Sequence, residues 1–228
     1  MVGAVLQRST QVNVRKLRGP LNPSDARDIN EAEHFAAKRG KKLNTTVSIH
    51  PKLLTERPDD IGLWLSGFLN QLRIWCRRSG FGYFSIWVRE NYEGDCREHV
   101  HVLLYVPDSW REAFKEAVRR WLHGETRAVH FGEPEIDRTK SGQLANKALT
   151  YLLKQMTSQA RYSLCNRVYR EKKCKETHAL VAPVLGKRYG VSRSLNKATR
   201  AAFWAKPSHT PIIAPQELGT AQQEALAA

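Results

Sequence analysis

The chain has 228 residues, 41% of them hydrophobic, which is enough for one domain with extensions and a core of its own. Its 37 Lys and Arg against 22 Asp and Glu leave a net charge of +15, which points to a polyanionic partner. No apolar run approaches the roughly 18 residues of a membrane span, and the N-terminal Ala-Val-Leu is too short for a signal-peptide core, so the expectation is a cytoplasmic protein without a membrane partner.

Residues 1–22 read as polar and loosely structured, with Arg15, Lys16 and Arg18 among them. From Ser24, an N-cap after Pro23, to Lys38, the apolar positions Ala26, Ile29, Ala32 and Ala36 predict an amphipathic helix ended by Gly40. It reads as an accessory element. Residues 43–50, LNTTVSIH, are rich in β-branched side chains and stop at Pro51, as a first strand would. Leu63, Phe68, Leu72, Trp75 and Cys76 then recur at helical spacing, until Gly80 and Gly82 end the helix.

Two apolar runs follow, Tyr83 to Val88 and Val100 to Val106, around a polar segment centred on Gly94-Asp95, a dipeptide that closes a two-residue hairpin turn. That turn fixes a register. It sets Glu90 opposite His99, and His101, two residues further along, shares their face about 6 to 7 Å away. One carboxylate and two imidazoles thus converge, which is the donor set of a divalent-cation site. A His-x-His pair alone serves equally well as an exposed or hydrogen-bonded structural feature, so the opposed Glu90 carries the metal reading.

Pro107-Asp108-Ser109 opens another helix, with Trp110, Phe114, Ala117, Val118 and Trp121 as its buried stripe, and Arg127 to Phe131 reads as a fourth strand. The order β, α, β, β, α, β predicts an α+β, ferredoxin-like antiparallel sheet with two helices on one face and the other face left for a site. Residues 142–156 predict a further helix. Ala145, Ala148, Leu149, Leu152 and Met156 form its apolar side, while Lys147, Tyr151 and Lys154 align on another. These lysines could merely be solvated beside a Tyr at the edge of the core, but ammonium groups also favour a phenolate, which turns a phenol into a nucleophile.

Almost all the net excess of positive charge follows the hairpin. Residues 140–206 carry 15 Lys and Arg against Glu171 and Glu176, a net +13, with Tyr162, Tyr169, Tyr189, Phe203 and Trp204 interleaved. Basic side chains among aromatic ones suit a single-stranded nucleic-acid groove. Within this stretch a turn is predicted over 186–190, followed by a helix from Ser192 or Ser194 that presents Arg193, Lys197 and Arg200. The tail from Pro207 has the composition of a disordered segment. Cys76, Cys96, Cys165 and Cys174 show no CxxC spacing and are expected as thiols, and Cys165, Cys174 and His178 lack a fourth zinc ligand. The chain divides into an N-terminal extension with a helix (1–42), a main domain (43–158), a basic extension (159–206) and a tail (207–228).

With Glu90, the His99-Val100-His101 triplet and Tyr151-Leu152-Leu153-Lys154 in that order, the sequence resembles the HUH endonucleases, in particular the single-tyrosine replication initiators of the Rep type. The resemblance covers residues 43–156, and the family's first motif would fall on Ser48 to Pro51. It implies metal-dependent nicking and joining of single-stranded DNA at an origin hairpin or nick site, to initiate rolling-circle replication of a plasmid or phage. Mn²⁺ or Mg²⁺ on Glu90, His99 and His101 would polarise the scissile phosphate, Tyr151 would attack to form a 5′-phosphotyrosine, and Lys154 would steady the charge. Lys147, Lys187, Arg188, Arg193, Lys197 and Arg200 are the expected DNA contacts. No GxxxxGK[ST] loop is present, so such an initiator would need a host helicase. A single-tyrosine transposase or a mobilisation nickase would share this chemistry. A non-catalytic nucleic-acid-binding module would share the element order, although RNA-recognition domains place aromatics where Glu90, His99 and His101 stand.

Overall fold

The β-branched runs become strands of one antiparallel sheet in the computed structural model, which describes residues 15–92, 98–134, 136–138, 144–146, 149, 152–153, 157 and 181–205. Its strands are β2 (Thr45–Ile49), β3 (Ser85–Glu90), β4 (His99–Leu104), β5 (Val129–Gly132) and β9 (Tyr189–Val191), in the spatial order β5-β2-β4-β3-β9. Two short pairs are separate from it: β1 (Leu17–Arg18) with β8 (Val184–Leu185), and β6 (Ile136–Arg138) with β7 (Leu144–Asn146). The helices described are α1 (Pro23–Lys38), α2 (Ile61–Arg78), α3 (Arg111–Trp121) and α4 (Lys197–Trp204), so the architecture is α+β. Among the described residues no helix is long and apolar enough to cross a membrane.

Alternation along the strands sorts the core into two layers. Val47, Ile49, Val100, Val102 and Leu104 face α2 and α3, where Leu65, Phe68, Leu72, Phe114 and Val118 complete one apolar cluster. Ile86, Val88 and Leu103 face the other way, against Ile29, Ala32, Phe35 and Ala36 of α1, with Leu149, Leu152, Leu153 and Leu195 in the same cluster. The face expected to be bare is therefore largely covered. Burying side chains such as Ile29 and Phe35 contributes about 1.5–3 kcal/mol each, which makes α1 part of the core rather than an accessory.

Local chemistry explains the element boundaries. Asn22, not Ser24, caps α1: its side chain accepts from the Ser24 and Asp25 amides at 2.8 and 2.9 Å, and the Asp25 carboxylate accepts from the Asn22 amide at 3.1 Å. Pro23 fits the first helical position because it has no N–H to satisfy. Gly40, at φ +66°, leaves the helix in the left-handed region. The predicted turn over 186–190 is shorter than expected: Gly186 bends the chain at φ +86°, the edge strand β9 begins at Tyr189, and Gly190 permits it, since a Cβ there would lie 2.7 Å from the Trp87 indole. The helix predicted over 142–156 starts later than its apolar spacing suggests. Leu144–Asn146 pair instead with Ile136–Arg138, a nearby strand that satisfies their backbone groups, and a helical bond from the Leu153 amide to the Leu149 carbonyl (3.1 Å) appears only after them. The predicted disorder from Pro207 lies outside the described residues.

Cys76, on the inner side of α2, is 1% exposed, and burial pushes its thiol up to about 12 from an ordinary 9.0. Because the folded value is the raised one, this contribution to stability is complete below pH 9.0 and is lost as pH rises towards about 12. Urea midpoints should therefore fall less steeply above pH 9.0 in Cys76→Ala than in the parent protein. Peptide mapping after alkylation should show Cys76 protected until denaturant is added.

Candidate metal centre

The β3–β4 register places Glu90 opposite His99 and Val88 opposite His101, the pairing expected of a two-residue turn, although Gly94-Asp95 itself lies outside the described residues. Glu90, His99 and His101 consequently share the face that carries Val88 and Leu103, just beyond the apolar cluster. Glu90 is 1% and His101 4% exposed, and His99 is half-buried. Ionised or hydrogen-bonding groups this deep require partners. The Glu90 carboxylate lies 3.1 Å from Nε2 of His101, and the Ser48 hydroxyl shares a 2.7 Å hydrogen bond with Nδ1 of the same ring. The rings of His99 and His101 are 6.3 Å apart and nearly parallel, at 15°.

The adjacent strand adds residues that the hairpin motif does not reveal. Ser48 pairs with His101 across β2 and β4, and His50, one step past β2, packs its ring 3.9 Å from that of His99. His130 on β5, opposite Ser48, follows at 5.8 Å from His50. A period-two reading of residues 43–50 already sets Ser48 and His50 on one side, but only the non-local register brings that side to His99 and His101.

Two neutral imidazoles and a carboxylate suit a borderline ion such as Mn²⁺, and a hydrogen bond to the far nitrogen of His101 is the usual support for a ligating ring. The donor chemistry therefore fits. The side-chain arrangement is nevertheless closed: among the described residues no three His, Cys, Asp or Glu side chains surround a common point at ligand distance, and Glu90 contacts His101 directly.

Beside the centre, Arg89 and Arg188 are both 3% exposed. Arg89 pairs with Glu98 and donates to the carbonyls of Leu185 (2.6 Å) and Lys187 (3.2 Å). Arg188 donates to the carbonyls of Arg89 and Arg18, each at 3.4 Å, and of Ala182, while burial lowers its pKa to about 10 against the pull of Glu98. These bonds tie residues 182–188 to the end of β3.

The expected DNA contacts separate by exposure. Lys187, Arg193 and Lys197 are exposed. Arg188 and Arg200 are not: they are 3% and 6% exposed and engage carbonyls and, for Arg200, the Asp28 carboxylate. Their assignment as DNA contacts is corrected to a structural one, because a buried guanidinium held by several acceptors cannot also reach a phosphate. Lys147, Tyr151 and Lys154 lie outside the described residues. Their neighbours Leu149, Leu152 and Leu153 are buried on the same sheet face as the histidines. Of the described tyrosines, burial pushes the phenol of Tyr83 up to about 12, and burial beside Asp28 raises that of Tyr189 further, both opposite to what a phenolate nucleophile requires. No family model, curated protein or solved structure matches this chain.

Proposed function

We propose that the protein nicks and rejoins single-stranded DNA through a 5′-phosphotyrosine, in the manner of a single-tyrosine HUH initiator of rolling-circle replication. The observation that carries this reading is the meeting of Glu90, His99 and His101 on one buried sheet face, beside the leucines that flank Tyr151. The four strands β5-β2-β4-β3, with α2 and α3 as crossovers, are read as a ferredoxin-like unit to which β9 adds an edge. Glu90, His99 and His101 would hold Mn²⁺ or Mg²⁺, which as a Lewis acid supplies charge stabilisation at the scissile phosphate. Tyr151 forms the new bond to phosphorus as the bond to the 3′ oxygen breaks, and that oxygen leaves as a hydroxyl by taking up one proton, which balances the proton lost from the phenol. Lys147 and Lys154 favour the phenolate, and the bond energy kept in the ester allows the strand to be rejoined. Exposed Lys187, Arg193 and Lys197 contribute affinity for the strand by releasing its counterions.

The test is incubation with single-stranded DNA and Mn²⁺, followed by denaturing electrophoresis. A protein–DNA adduct that survives denaturation is the expected result, and His99→Ala or His101→Ala should remove it while circular dichroism shows the fold retained. Glu90→Ala should weaken metal affinity less, since both imidazoles remain. DNA binding without any adduct would overturn the enzymatic reading in favour of a non-catalytic binding module.

A further inference from the structure

The hairpin strands supply the three proposed ligands, but the contacts that fix the two imidazoles come from the neighbouring strand β2. Ser48 stands opposite His101 in the ladder, and its hydroxyl lies 2.7 Å from Nδ1. His50, two residues on, sets its ring 3.9 Å from that of His99 with the planes at 64°. We infer that Ser48 and His50 are positioning residues for the metal centre: Ser48 selects the nitrogen that His101 offers, and His50 holds the plane of His99. This role presupposes the metal site proposed for Glu90, His99 and His101.

The chemistry of a hydroxyl explains why it suits position 48. In the arrangement seen here, the Ser48 O–H can donate to Nδ1, which leaves the ring proton on Nε2, the nitrogen that faces the Glu90 carboxylate 3.1 Å away. When Nε2 serves as a ligand it must lose that proton, so Nδ1 carries the proton instead and Ser48 accepts from it. A hydroxyl serves both states because it donates and accepts, whereas alanine serves neither. Burial sharpens the requirement, since His101 is 4% exposed and water has little access to replace the missing bond. His50 acts through shape. An edge-to-face contact with His99 restricts rotation of that ring, and any flat ring of similar size in its place would do the same.

Two measurements on the full 228-residue chain test this. By calorimetry with Mn²⁺ as the probe, Ser48→Ala should bind about 10- to 100-fold more weakly than the parent, the usual cost of losing such a support. Ser48→Thr, which keeps the hydroxyl, should stay close to the parent. His50→Ala should also bind more weakly, whereas His50→Phe, which keeps the ring packing but cannot ligate, should not. In the metal-free protein, ¹⁵N spectra should show the Nδ1 resonance of His101 displaced by Ser48→Ala and restored by Ser48→Thr, which reports the hydrogen bond without metal or DNA. If His101→Ala abolishes Mn²⁺ binding while Ser48→Ala binds as the parent does, the role of Ser48 is overturned and the metal site stands. Equal losses in His50→Phe and His50→Ala would overturn positioning by packing at His50. If the parent protein takes up no Mn²⁺, the metal-site reading fails and this inference fails with it.

Discussion

Tyr151→Phe is expected to lower formation of the covalent protein–DNA adduct by at least about a thousandfold, the scale on which losing a nucleophile outright is felt, while leaving affinity for single-stranded DNA nearly unchanged. Only one oxygen is removed, and the aromatic ring remains. The expectation rests on two kinds of observation. Tyr151 stands four residues after Lys147 and three before Lys154, so a helical turn would align both ammonium groups with its phenol. Two of the described tyrosines are chemically unsuited: the Tyr83 phenol is pushed up to about 12 by burial, and Tyr189 donates to Asp28 at 3.2 Å, where a phenolate would face a carboxylate. Peptide mapping of the adduct distinguishes the outcomes. An adduct in Tyr151→Phe that maps to Tyr162 or Tyr169 would move the nucleophile into the basic segment and leave the proposed reaction class in place, whereas loss of DNA binding together with the adduct would show that the phenol contributes to binding.

The parts of this site that are local in sequence are the parts that composition and periodicity expose. A turn dipeptide between two apolar runs fixes which residues oppose each other, so the pairing of Glu90 with His99 follows from the sequence and is the one found. The helices α2 and α3 are equally legible, because their apolar spacing is long and regular and their packing partner is the one sheet face they share. The apolar stripe of α1 says that one side is buried but not against what, and its partner Val88 lies some 50 positions away or more in sequence from most of the helix. Ser48 and His50 give no signal of their own, since a polar residue on a strand is ordinary until the ladder shows what stands opposite. Leu144–Asn146 illustrate competition between levels: their neighbours have helical apolar spacing, yet an available strand partner decides the backbone. Charge is the least legible feature. Counting Lys and Arg locates the excess after the hairpin, but Arg188 and Arg200 belong to the interior, and a count cannot distinguish a buried guanidinium from a solvated one.

Arg200→Ala should therefore destabilise the fold rather than simply weaken DNA binding. Arg200 is 6% exposed, and its guanidinium reaches the Leu195 carbonyl and the Asp28 carboxylate, each at 2.5 Å, and Glu31 at 3.3 Å. Asp28 lies on α1 and is itself 7% exposed, so the pair fastens α4 to the helix that covers the histidine face. Removing the cation leaves a buried carboxylate beside the Tyr189 hydroxyl, 3.2 Å away, a neutral donor that cannot replace a guanidinium. Stranding one member of a buried pair costs about 3–5 kcal/mol, and for a domain of this size each kcal/mol lowers the melting temperature by about 2–4 °C. The bond to Glu31 adds little, because that carboxylate is half exposed. Replacing both partners, as in Asp28→Leu with Arg200→Met, should recover much of the loss, since no unpaired charge remains. Lys187, Arg193 and Lys197 provide the contrast. Exposed as they are, their joint replacement by Ala should change stability by less than about 0.5 kcal/mol per site but flatten the salt dependence of single-strand binding, by a slope of roughly 0.7 for each phosphate no longer neutralised. Urea unfolding and DNA titrations over a salt series, run on the same variants, separate the two roles. An Arg200→Ala protein as stable as the parent yet weaker in DNA binding would return that residue to the DNA surface.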